Sequence, residues 1–126
     1  MKKLLSLALI GCLPLVVTST FAADTMLNAE QIKTLVTGKT ITAKHNLKGF
    51  QFTVFFDKDS KTAFRKQKGS TTKTTYSMKG NKHCILWNGK DRCANIRDNK
   101  DGTYSRVNPK GKAVVTWSKI TDGKNL

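Results

Sequence analysis

Acid is what this sequence has least of. Its 126 residues hold 8 Asp and Glu against 23 Lys and Arg, a formal charge of +15. No acidic residue lies between Asp59 and Asp91, and none between Gly102 and Thr121. Histidine is also rare, with only His45 and His83. Neither stands at the C-x-x-C or H-x-x-x-H spacing that a metal site requires, so no metal and no cofactor is expected. H-E-x-x-H, G-x-S-x-G and a phosphate-cradling glycine loop are all missing, which leaves catalysis with thin support. Internal repeats, low-complexity tracts and linkers are missing too.

Cysteine numbers three, and position separates them: Cys12 against Cys84 and Cys93. The chain opens "MKKLLSLALIGCLPLVVTSTFAAD", with a basic start at Lys2 and Lys3, an apolar stretch from Leu4 to Val17, and small residues ending at Ala22. That is the layout of a secretory signal cleaved after Ala22, and the run is too short and too interrupted by Pro14 to span a membrane. Leu9-Ile10-Gly11-Cys12 offers a second reading, a lipoprotein box that would acylate Cys12. The sequence stays apolar beyond Cys12, however, where a lipoprotein turns polar. The preferred expectation is a periplasmic or secreted protein, residues 23–126, forming one domain. Loss of Lys2 and Lys3 leaves 21 Lys and Arg against 8 acids, a charge of +13. A chain of that size buries roughly 60–70% of its unfolded surface, enough for one modest core.

The two remaining cysteines sit in "HCILWNGKDRC". Asn-Gly between β-prone flanks is a strong hairpin signal, because both central residues of a type I′ turn need positive φ. With Asn88 and Gly89 at the turn, counting outward sets Trp87 opposite Lys90, Ile85 opposite Arg92, and Cys84 opposite Cys93. The cysteines then form a non-hydrogen-bonded pair, where side chains approach most closely. A Cys84–Cys93 disulfide follows, suited to an exported chain.

One helix is expected over residues 29–37. Asn28 caps it, Gln31 completes a capping box, Leu27 and Ile32 occupy the staple positions, and Gly38 follows the end. Short β-prone runs then follow near 39–45, 50–56, 61–66, 72–78, 83–87, 90–97, 103–107 and 112–120, broken by turn residues. Phe50, Phe52, Val54 and Phe56 alternate, as do Thr74, Tyr76 and Met78, while Phe55, Ile85 and Val114 are assigned to the opposite faces. The fold class is therefore mainly β: a small antiparallel meander of about eight strands, curled into a barrel or sandwich, with the helix covering one end.

The pieces "AEQIKTLVTGKTI", "FTVFFDKDSKT", "CILWNGKDRC", "DGTY" and "ITDGKNL" follow one another in an order that resembles a group of small exported β-rich proteins of Gram-negative bacteria. The likeness covers most of residues 23–126 and implies this fold and an extracytoplasmic location; it implies no activity. Members of that group carry a Gly-x-Trp before the first cysteine strand, where this chain has Thr75-Tyr76-Ser77.

A one-signed field of this size attracts polyanions. The expected function is electrostatic binding of anionic polymers or anionic membrane surfaces (nucleic acid, acidic glycan or acidic lipid), as for a secreted effector. Its candidate residues are Lys61, Arg65, Lys66, Lys68, Lys73, Lys79, Lys82, Lys90, Arg92, Arg97 and Arg106. Trp87 has two readings, a core residue or a stacking platform beside those cations. Two other functions are open. One is a metal-independent ribonuclease using His45 and His83; the other is a protein-binding module or adhesin acting on acidic host surfaces.

Overall fold

The structure is a computed structural model that describes residues 25–126; the cleavage position and Cys12 lie outside the described residues. Helix α1 spans Ala29–Val36, and eight strands follow: β1 Lys39–His45, β2 Gln51–Phe56, β3 Thr62–Gln67, β4 Ser70–Lys79, β5 Lys82–Trp87, β6 Lys90–Asp98, β7 Tyr104–Val107 and β8 Ala113–Asp122. Each strand pairs antiparallel with the next, and β8 closes on β1. Closure removes both sheet edges, so a barrel rather than a sandwich satisfies the backbone.

The hairpin register agrees with counting from the turn. Cys84 faces Cys93, Ile85 faces Arg92 and Trp87 faces Lys90, with φ of 51° at Asn88 and 75° at Gly89. The disulfide joins Cys84 to Cys93. Asn28 accepts from the Gln31 amide while the Gln31 side chain accepts from the Asn28 amide, both at 2.9 Å. The helix stops one residue earlier than its capping pattern suggests. Thr37 is already extended and bridges Phe56, and the Gly38 amide donates to the Phe56 carbonyl at 2.7 Å. Pairing with β2 ends the helical hydrogen bonding there.

Alternation along each strand divides lumen from exterior. Ile41, Ala43, Val54, Phe56, Ala63, Ile96 and Trp117 fill the barrel together with Ile32 and Val36 of the helix. Phe55 does face outward, where it stacks on Phe64 at 6.4 Å between ring centres. Ile85 does not. Its partner in register is Tyr76, a lumen residue, so Ile85 faces inward with it. Alternation within one strand defines two faces, and only the neighbouring strand fixes which of them is inside.

The helix closes one end. Its first amide, Ala29, donates to the Asn81 side-chain oxygen between β4 and β5, and Leu27 donates to the Ile96 carbonyl at 2.8 Å. The connections at that end are residues 57–61, 80–81 and 99–103. Those at the opposite end are 46–50, 68–69, 88–89 and 108–112, and no helix among the described residues covers them.

Candidate functional site

The uncovered end opens into a cavity of about 600 Å³. Strand alternation sends Phe52 and Val54 of β2, Arg65 of β3, Ile85 and Trp87 of β5, Arg92 of β6, Arg106 of β7 and Trp117 of β8 into it, and His45, Lys48 and Phe50 stand at its mouth. Pockets of this size hold a small molecule, and eight strands enclose about that much space.

Arg65 organises the upper wall. Its guanidinium carbon lies 4.0 Å from the Phe52 ring centre and 4.3 Å from that of Trp87, a sandwich across the lumen. One terminal nitrogen donates to Gln67 at 3.0 Å, whereas the buried Nε has no hydrogen-bond partner. Trp87 is half-buried in the cavity wall rather than sealed in the core; Trp117, at 1% exposure, is the core tryptophan.

Deeper, Arg106 is 7% exposed and His83 is fully buried. Arg106 donates to His83 Nδ1 at 2.9 Å, to the His83 carbonyl at 3.1 Å and to the Arg92 carbonyl at 2.8 Å. A guanidinium cannot accept, so Nδ1 is the acceptor and the imidazole is neutral with its proton on Nε2. The His83 ring packs edge-on against Phe56 and Trp117. Burial first, and the Arg106 charge second, push the His83 pKa down to about 3. Burial lowers Arg106 to about 10, which keeps it cationic at neutral pH. At the mouth, His45 is lowered by desolvation and then by Lys48 and Arg65, a sign of the positive field there.

The predicted cations separate into two groups. Arg65, Arg92, Arg106 and Trp87 converge on the cavity. Lys66 and Lys73 alternate to the outer wall, while Lys61 and Lys82 sit at the helix end. Lys79 pairs with Asp91 at 2.9 Å on the exterior. Arg97 bonds Asn99 at 3.0 Å, far from the mouth. Lys68 and Lys90 do lie at the open rim. Of the two histidines, His45 stands at the mouth and His83 is buried below it beside Arg106.

Sequence reading missed the rim. Lys48, Lys68, Lys110 and Lys112 all fall in connections at the open end, and Lys44, Lys66 and Lys90 flank them, with no acid in any of those connections. Asp57, Asp59, Asp98, Asp101, Asp122 and Glu30 gather at the helix end. Of the acids among the described residues, Asp91 alone lies near the rim, and Lys79 engages it. The available signal was parity: every second connection of a meander lies at the same end. Phe50 and Phe52 were visible as an apolar alternation, but nothing in it marked them as cavity wall.

The architecture defines a closed up-and-down antiparallel barrel with an open, cation-rimmed calyx. Comparison with family models, curated proteins and solved structures finds no match for this chain. Among the described residues no three His, Cys, Asp or Glu side chains are grouped to hold a metal ion.

Proposed function

We propose that this is an exported basic binding protein that engages anionic polymers or anionic membrane surfaces, and that it does so with the open rim of the barrel. One observation carries the reading: lysines occupy the rim connections without acids, while the acids collect at the helix end. Such a molecule has an electrical direction as well as a net charge, and a polyanion meets it mouth-first. Leu47, 65% exposed in the rim connection between β1 and β2, adds an apolar contact for a lipid surface or an unstacked base.

The test is an array of heparin, single-stranded nucleic acid and phosphatidylserine vesicles at low and physiological salt, with two charge-reversed proteins. One carries Lys68→Glu, Lys110→Glu and Lys112→Glu at the rim; the other carries Lys58→Glu, Lys61→Glu and Lys100→Glu at the helix end. Both lose the same charge. Wild-type affinity falls steeply with salt, roughly a thousandfold between 50 and 200 mM where six phosphates are contacted. The rim variant loses at least ten times more affinity than the other. Equal losses, or binding indifferent to salt, refute a directed rim.

A further inference from the structure

The lumen below the rim has a different chemistry, which the rim reading does not need. Its wall is largely apolar, from Phe52, Val54, Ile85, Trp87 and Trp117, yet three guanidiniums line it, those of Arg65, Arg106 and the more exposed Arg92, against one carboxylate, Asp91, which Lys79 engages. Neither Arg65 nor Arg106 has an ion-pair partner among the described residues. The three hydrogen bonds of Arg106 go to neutral acceptors, and Arg65 keeps a buried Nε unpaired. Arg106 is buried and Arg65 half-buried; neutral acceptors and ring faces replace their hydration only in part, and the lack of a countercharge leaves a net cost. Sequences retain such groups where function needs them. An anion brought into the cavity offsets that cost, and the charge on these groups stays positive at neutral pH because burial lowers Arg106 only to about 10.

We propose that the lumen binds one small amphiphilic anion, its acidic head on the guanidiniums of Arg65 and Arg106 and its apolar body against the Phe52, Ile85 and Trp87 wall. The head is a carboxylate or a phosphate or sulfate monoester, chemistry that a guanidinium fork matches in plane. The volume of about 600 Å³ holds roughly twenty water-sized groups. A single acyl chain or a ring-bearing acid fits, whereas a polymer does not. Binding here is independent of the rim, so the two readings can fail separately.

The oxidised, folded protein is titrated with laurate, with 1-dodecanol and with inorganic phosphate, followed by tryptophan fluorescence and calorimetry at physiological salt. Laurate saturates at one molecule per chain; dodecanol, with the same body and no charge, binds at least tenfold more weakly, and so does phosphate, which has no body. Arg65→Gln weakens laurate at least tenfold, while the rim variant above holds laurate within threefold of wild type and loses heparin. Phosphatidylserine vesicles displace no laurate. The proposal is overturned by dodecanol or phosphate matching laurate, by the absence of saturable laurate binding, or by displacement from vesicles. It is equally overturned by a folded Arg65→Gln protein with unchanged affinity. The dodecanol comparison needs no variant, so it decides the matter even if Arg65→Gln does not fold.

Discussion

Lowering the pH from 7.5 to 5.0 tests the buried His83–Arg106 pair directly. In the unfolded chain His83 titrates near 6.5, and in the barrel near 3, because burial and the adjacent guanidinium both oppose its charge. Between those values the unfolded state binds a proton that the folded state refuses, so stability rises with pH across the window and is lost as pH falls below about 6.5. At about 1.4 kcal/mol per pH unit, His83 alone removes about 2 kcal/mol between pH 7.5 and 5.0. The titratable groups packed on it do not interfere. Arg106 titrates near 10, and burial raises the Tyr76 phenol above its ordinary value, so neither changes charge in this range. The assay is urea unfolding of wild type and of His83→Gln at the two pH values. Glutamine still offers Arg106 a side-chain acceptor but has no proton to take up. Whatever His45 and the carboxylates contribute is common to both proteins and cancels in the comparison. Wild type loses about 2 kcal/mol more than the variant on acidification. Equal losses in the two proteins would show that the imidazole is not excluded from water, and the account of the barrel floor would fall.

Two stability predictions follow from local chemistry. Cys84→Ala with Cys93→Ala opens a cross-link between residues nine apart in sequence; on the chain-entropy model that costs about 2–3 kcal/mol, read from the urea midpoint against wild type under non-reducing conditions. Asn28→Ala removes the side chain that accepts from the Gln31 amide. It costs about 1 kcal/mol, and Asn28→Ser restores most of it; an alanine variant as stable as wild type would show that the cap contributes nothing.

What was legible in the sequence was whatever depends on near neighbours. Asn88-Gly89 sets its own turn, and the turn sets the pairing of Cys84 with Cys93, because hairpin register propagates by counting. Asn28 and Gln31 find each other within one helical turn. Strand spans came through within a residue or two for most elements, since turn residues with positive φ punctuate them. Ile85 was misplaced for the converse reason: its side is decided by Tyr76 on another strand.

The sequence by itself determined a basic chain with one short capped helix, eight strands and a cysteine hairpin, since propensity, turn chemistry and charge count are local or additive. Tertiary structure alone decided that β8 closes on β1, and that lysines from three separate connections share one rim. It also decided that Arg65 and Arg106, forty-one positions apart in sequence, face one cavity. Convergence of that kind depends on barrel closure and on which end each connection falls, and neither is a property of any short stretch of chain.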